Sequence, residues 1–253
     1  MRRERLNGLV LYRFENLSAL GLNHAVFTRR GGVSTGPYES LNLSLSVGDA
    51  PQRVLANRAR AAAALGLKDL ASARQVHGQA SLDASAAPGG RGLAGVETQE
   101  ADILTSGQPG VGLMIKQADC QAVILYEPER RALGVVHCGW RGSVAGVLGQ
   151  AVAELAAAYG ARPERMHAAI APSLGPCCAE FVNWRRELPP EFEQFRVGEA
   201  HFDFWRASTH QLAQAGLKPE QVEVAGICTR CTEEFYSYRR EGLTGRFATI
   251  AAL

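Results

Sequence analysis

Ala122-Val123-Ile124-Leu125-Tyr126-Glu127-Pro128-Glu129-Arg130-Arg131-Ala132-Leu133-Gly134-Val135-Val136-His137 is the stretch on which the fold turns. Two apolar, partly β-branched runs, Ala122 to Tyr126 and Ala132 to His137, flank the polar tetrapeptide Glu127–Arg130. That pattern predicts two strands joined by a turn. A symmetric register about the turn pairs Tyr126 with Arg131 and, carried outward, sets Cys120 opposite His137. Directly opposed residues share a sheet face, with Cβ atoms about 4.5–5.5 Å apart. A thiolate and an imidazole would then converge on one metal ion. A slip of one residue would part them to opposite faces.

Working outward, Val111 to Lys116 and Val222 to Ile227 read as further strands. After His137 a long helix is expected from about Ser143 to Tyr159. Its apolar face is Val144, Val147, Leu148, Ala151, Val152, Leu155 and Tyr159, with Gly160 and Pro163 closing it. The glycines and proline of Thr28 to Tyr38 make an irregular loop. A helix should follow, with Asp49 as N-cap, Gln52 at the capping-box position and Gly66 as the stop. Val54, Leu55, Ala59, Ala62 and Leu65 form its apolar side, and Arg58 falls there too. Ala84 to Gly95 reads as a surface loop within a domain. The expected fold class is α+β: a layered α/β sandwich with a mixed, largely antiparallel sheet flanked by helices, as one domain over residues 1–253.

Hydrophobic content of 46%, charged content of 21% and a net charge of +2 place the chain among ordinary globular proteins. They provide no electrostatic reason to expect nucleic acid or membrane as a partner. No run of about 18 apolar residues reads as a membrane span. Arg2, Arg3 and Arg5 are not followed by a long apolar run before Arg13 and Glu15, so the expected location is cytoplasmic and the six cysteines are expected reduced. Cys228-Thr229-Arg230-Cys231 is a lone CxxC, which reads as structural or incidental rather than as a zinc knuckle.

Three segments carry the chemistry: Gln75-Val76-His77-Gly78, Ala118-Asp119-Cys120 and His137-Cys138-Gly139-Trp140-Arg141-Gly142. Two imidazoles and one thiolate suit zinc with one position left open, as a catalytic metal requires. Taken singly, His77 reads equally as an ordinary histidine and Cys120 as a small buried apolar residue. The turn after His137 runs through glycines toward a helix start, and Arg141 adds a bidentate donor, so an anion site is expected beside the metal. Asp119 and Glu180 are the candidate proton shuttles; Asp119 equally reads as a partner for a neighbouring loop, and Glu180 as a solvated carboxylate. Three rival readings stand. A cysteine hydrolase would use Cys120 as nucleophile and His137 as base. A non-catalytic protein would close its zinc with a fourth ligand, for which Cys138 is the candidate. A copper oxidase would need clustered His-x-His ligands, and histidines at 24, 77, 137, 167, 201 and 210 provide no such pair, so copper ranks behind zinc.

These segments, with Thr28 to Ser34, Ser40-Leu41-Asn42-Leu43, Gly175-Pro176-Cys177, Phe235 to Arg240 and Thr244-Gly245-Arg246, resemble the bacterial purine nucleoside phosphorylase family of the laccase-domain, or multicopper polyphenol oxidase-like, type. They run in family order across nearly the whole chain. The resemblance implies zinc at His77, Cys120 and His137, with Cys120 and His137 at the catalytic centre. It implies phosphorolysis of adenosine, inosine, guanosine and 5′-methylthioadenosine, and deamination of adenosine to inosine. It implies a sandwich with sheet inside and helices outside. Purine nucleosides and phosphate are the implied partners. Arg141 and the Arg29 loop would position the phosphate. Asn42 would hold a ribose hydroxyl or cap its own turn. Ala122, Cys138 and Ala179 depart from the usual proline, alanine and tyrosine, and the lost ring at 179 puts one substrate contact in doubt.

Overall fold

The computed structural model describes residues 1–85, 92–95 and 97–253. Residues 86–91 of the loop expected over 84–95 lie outside them. The strands are β1 (Arg2–Leu6), β2 (Leu9–Arg13), β3 (Asn23–Phe27), β4 (Asp69–Ala71), β5 (Ser81–Asp83), β6 (Ile103–Ser106), β7 (Val111–Gln117), β8 (Gln121–Glu127), β9 (Ala132–Cys138), β10 (His167–Ile170), β11 (Val222–Val224) and β12 (Phe247–Ala252). The helices are α1 (Glu15–Ala19), α2 (Pro51–Ala64), α3 (Trp140–Ala145), α4 (Val147–Tyr159), α5 (Trp184–Glu187), α6 (Phe204–Gln214) and α7 (Tyr238–Glu241).

The strands form two six-stranded sheets, ordered β1-β2-β3-β12-β7-β4 and β11-β10-β8-β9-β6-β5. The expected mixed, largely antiparallel sheet is present as two mixed sheets flanked by helices. Pairing is antiparallel except between β4 and β7, β5 and β6, and β10 and β11. Side chains alternate faces along each strand, and this alternation builds four layers. Val26, Leu113, Ile115, Phe247 and Ala251 of the first sheet meet Ala122, Ile124, Leu133, Val135 and Ala169 of the second in a shared core. The outer face of the second sheet, with Val123, Leu125 and Val136, packs on Val147, Leu148, Ala151, Val152 and Leu155 of α4. The outer face of the first, with Phe27, Met114 and Ile250, packs on Ala61, Ala62 and Leu65 at the end of α2. Burying each aliphatic side chain contributes about 1.5–3 kcal/mol, so the sequence spends its apolar residues on three stacked interfaces. Gly134 lets α4 approach β9: a Cβ there would stand 3.1 Å from Leu155 Cδ1.

The β8–β9 register departs from the symmetric expectation by two residues. Tyr126 pairs with Leu133 and Ala122 with His137. Glu127 remains in the strand, and its carboxylate accepts the backbone N–H groups of Glu129 at 3.0 Å and Arg130 at 3.2 Å. Arg131 then closes the turn at φ 50. A shift of two preserves the face, so His137 still points inward, but Ala122 rather than Cys120 lies opposite it.

Two helix expectations are corrected. The helix expected over 143–159 is two helices, broken at Gly146 (φ 78). The break turns Val144 away from the α4 face and into an aromatic cluster with Trp140, Phe181 and Phe204. Ala50, not Asp49, caps α2. The Asp49 carboxylate is used elsewhere, accepting from Ser34 Oγ at 2.6 Å and Asn42 Nδ2 at 3.0 Å. The buried stripe of α2 is Val54, Asn57, Arg58, Ala61 and Ala62, while Ala59 is exposed. Arg58 is tolerated there because Glu97 Oε1 lies 2.6 Å from its guanidinium, with the Leu43 and Gly92 carbonyls accepting too. Removing one partner of such a buried pair typically costs about 3–5 kcal/mol.

Candidate metal centre and substrate cavity

His77, Cys120 and His137 arrive from three separate places. His137 is the last inward-facing residue of β9. Cys120 sits in the loop just before β8, and His77 in the loop between β4 and β5. Their ligand atoms lie within 4.8 Å of one another. The two imidazoles meet edge to face, with centroids 4.8 Å apart.

The backbone is bent to achieve this. His77 (φ 62) and Asp119 (φ 85) are in the left-handed region, which non-glycine residues adopt at a cost of about 1–3 kcal/mol. It is His77 itself, rather than Gly78, that makes the tight turn. Asp102 holds that turn. Its carboxylate accepts the N–H of Val76 and of His77, both at 3.1 Å, and of Gly78 at 2.8 Å. The same carboxylate takes His137 Nδ1–H at 2.7 Å, which leaves Nε2 to bind. A buried carboxylate orienting a ligand histidine is how metal sites fix tautomer and direction. Gly139 is required by close approach: a Cβ there would stand 2.9 Å from His77 Cδ2 and 3.1 Å from Cys120 Sγ.

The electrostatics suit a cation. Burial would raise the Cys120 thiol, but hydrogen bonds with His137 and His77 outweigh it and bring it down to about 6. Burial would lower His137, but Asp102 and the Cys120 thiolate push it up to about 9. Burial would also raise Asp102, and the His137 ring with the Gly78 and Val76 N–H groups holds it below its ordinary value. A thiolate is thus ready at neutral pH, and a metal ion would displace the His137 proton. Cys138 points the other way, into the core beneath α4, and burial raises its thiol to about 12. It is not the fourth ligand.

All three residues line a cavity of about 700 Å³. One wall is aromatic: Trp140 and Phe181 stack edge to face at 6.0 Å, Phe204 follows at 5.2 Å, and Tyr238 also faces the space. Arg74, Arg141, Arg239 and Arg246 supply positive charge. Arg141 is exposed and lies over the Trp140 ring at 4.4 Å. The helix it opens has only six residues, so the guanidinium outweighs any helix-end contribution. Lys116 also lines the space, but Ser72, Ala73 and Glu97 take its ammonium protons.

Of the other expected residues, Arg29, Asn42 and Glu180 do not line this cavity, whereas Asp119 does. Arg29 donates to Glu241 at 2.6 Å and stacks on Tyr236 at 4.5 Å. Asn42 is fully buried, and its amide serves Ser44, Asp49 and the Arg246 N–H. It therefore positions Arg246. Asp119 accepts Thr229 Oγ1–H at 2.7 Å and the Arg239 N–H at 2.6 Å, so it binds neighbouring loops, and its place before β8 removes it from strand alternation. Glu180 is exposed, and the backbone carbonyl it supplies holds Arg239. Asp102 was missed because no spacing rule links Ala101-Asp102-Ile103 to a histidine 35 positions on. Arg246 and Tyr238 stood within quoted motifs without a role.

Known proteins place this chain in a family. The family model described as multi-copper polyphenol oxidoreductase laccase matches residues 23–253. A protein of Deinococcus radiodurans named purine nucleoside phosphorylase is 40% identical over 97% of this chain and 94% of its own length. Escherichia coli purine nucleoside phosphorylase YfiH is 34% identical over 88% of this chain and 90% of its own. The crystal structure of YlmD from Geobacillus stearothermophilus superposes with a TM-score of 0.88 at 29% identity, covering 98% of this chain and 97% of that one. No helix among the described residues is long and apolar enough to cross a membrane. The chain belongs to the laccase-type multi-copper polyphenol oxidoreductase family, among whose members relatives named purine nucleoside phosphorylase match it over most of their length.

Proposed function

We propose that the cavity binds a purine nucleoside with inorganic phosphate and that the chain catalyses phosphorolysis of the glycosidic bond, on adenosine, inosine, guanosine and 5′-methylthioadenosine. A phosphate oxygen attacks C1′, the bond from C1′ to the purine nitrogen breaks, and its electron pair leaves with the base, which takes up a proton. The observation that carries this reading is the His77, Cys120 and His137 cluster opening onto the same cavity as Arg141 and the aromatic wall. The volume falls within the range of about 300–1,000 Å³ usual for small-molecule sites. Trp140, Phe181 and Phe204 offer apolar surface to a purine ring where residue 179 is only an alanine. Arg141 is placed to orient phosphate, with Arg246 held by Asn42 as a second cation. Arg29 supports the cavity indirectly, through Tyr236, whose ring packs against Gly245.

The donor set fits zinc: two imidazoles, one thiolate already favoured as the anion, and a carboxylate behind His137. Bound zinc supplies Lewis acidity and lowers the pKa of water, which would also serve adenosine deamination. Asp102 orients His137, and Gly139 leaves room for the ligands to meet.

A second reading is favoured by one observation. Cys120, His137 and Asp102 form a thiolate, imidazole and carboxylate chain of the kind that activates a cysteine nucleophile. In that reading His77 only helps to hold Cys120 as the thiolate.

The decisive experiment incubates purified protein with adenosine, with and without phosphate. Adenine and ribose 1-phosphate formed only with phosphate establish the phosphorylase, and inosine establishes the deaminase. No turnover of any of the four nucleosides by zinc-loaded protein overturns the proposal.

A further inference from the structure

The lone CxxC has its partner pair after all. Cys177 and Cys178 lie in the turn after Gly175-Pro176, more than fifty positions before Cys231 in sequence, yet the four sulfurs of Cys177, Cys178, Cys228 and Cys231 lie within 4.8 Å of one another. Cys231 Sγ is 3.7 Å from Cys177 Sγ and 3.5 Å from Cys178 Sγ. Around one tetrahedral zinc with bonds of about 2.3 Å, sulfurs stand about 3.8 Å apart. The observed spacing is that of thiolates gathered for a single ion. We propose that these four cysteines hold a second zinc ion, separate from the centre at His77, Cys120 and His137, in a closed tetrathiolate site.

The surroundings are built to bring the sulfurs together. Residues 173 and 227–229 run side by side, with Ser173 N–H donating to the Ile227 carbonyl at 3.2 Å and Thr229 N–H to that of Ser173 at 3.0 Å. Gly175 permits the approach: a Cβ there would stand 3.0 Å from Cys228 Cβ and 2.8 Å from the Trp205 ring. Cys228 precedes a single turn of 3₁₀-helix over Thr229–Cys231, which returns Cys231 to the same side. Arg230 places Nη1 3.7 Å from Cys178 Sγ, offsetting part of the negative charge that four thiolates leave around a divalent ion. Four ligands complete a tetrahedron and leave no open position, so the role is structural. The segments so joined continue into the substrate cavity: Leu174 and Ala179 line it, and Thr229 holds Asp119 beside Cys120.

The test is metal counting on the full chain, purified under reducing conditions. The unaltered chain should hold about two zinc ions. His77→Ala/Cys120→Ala should keep one, and Cys228→Ser/Cys231→Ser should lose one while keeping the other. Cobalt loaded into the His77→Ala/Cys120→Ala variant should show the intense thiolate charge-transfer absorption of a tetrathiolate centre. Should the serine variant fail to fold, alkylation of the unaltered chain decides. Cys177 and Cys231 are exposed, so they should resist a thiol reagent as isolated and react once a chelator strips the metal. An unchanged zinc count in a folded serine variant, alkylation of all four cysteines without chelator, or disulfides among them in the intact protein would each overturn the proposal.

Discussion

His137 Nδ1 lies 2.7 Å from Asp102 Oδ1, and that carboxylate also accepts three consecutive backbone N–H groups centred on His77. One buried side chain thus aims His137 and fixes the loop that carries His77. Asp102→Asn keeps the shape but loses the charge and one accepting oxygen. Zinc affinity should drop about 10- to 100-fold, read by competition with a chromophoric chelator. Unchanged affinity would remove Asp102 from the site.

His77→Ala separates the metal reading from the cysteine-nucleophile reading. With a metal, it should lower bound zinc by one equivalent and abolish nucleoside turnover, as Cys120→Ala should. A Cys120 nucleophile, whose thiolate His77 only helps to hold, would keep residual turnover with no change in zinc content. Zinc content and turnover measured on the same samples make the comparison.

Arg141 is exposed, and it stacks on Trp140 without an ion-pair partner among the described residues. Arg141→Ala should leave the melting temperature nearly unchanged and raise KM for phosphate about tenfold or more, the loss of a charge-assisted hydrogen bond of about 1.5–3 kcal/mol. KM for the nucleoside should move less. Equal shifts in both constants would count against a phosphate role.

Gly139→Ala and Gly149→Ala should act in opposite directions. At 139 the new methyl meets His77 and Cys120, and zinc binding should fail in a folded protein. At 149, within α4, the methyl has open space, and stability should rise by about 0.5–1 kcal/mol. Zinc content and urea midpoints check both.

His24 is fully buried, with Nε2 accepting the Phe14 N–H at 2.8 Å and Nδ1–H donating to the Leu22 carbonyl at 2.9 Å. Burial holds its pKa below the ordinary 6.5. The unfolded chain therefore binds more protons as pH falls below about 6.5, and this residue's contribution to stability is lost progressively on the acid side. Above that value it is constant. His24→Gln should flatten the stability profile below pH 6.5. Identical slopes in urea unfolding series would refute the assignment.

What the sequence showed and what it hid divides along the reach of each rule. The three central strands were legible to within one residue at each end because alternation and β-branching are local signals, as in Ala132–Cys138. The inward direction of His137 followed from the same period of two. The register did not, because it depends on Glu127 accepting N–H groups from its own turn. Gly146 was read as a helix residue because its neighbours on both sides are good helix formers. The ligands were legible as chemistry, whereas Asp102, Arg246 and the meeting of Cys177 with Cys231 depend on contacts between distant segments. Arg29 was placed at the phosphate because its type suits it, but it is committed to Glu241, while Asn42, read equally as a ribose contact or a cap on its own turn, bonds to Ser44 in that turn.

β12 lies between β3 and β7, so the interior of the first sheet is completed by the strand that comes latest in chain order among those described. Until Phe247–Ala252 inserts, β1-β2-β3 and β7-β4 are two ribbons with unpaired edges facing each other. All six residues of β12 end buried, and Arg246 enters the cavity at its doorstep. Closing the first sheet therefore joins segments that are far apart in the chain. The strand that closes the sheet is also the one that carries Arg246 to the cavity.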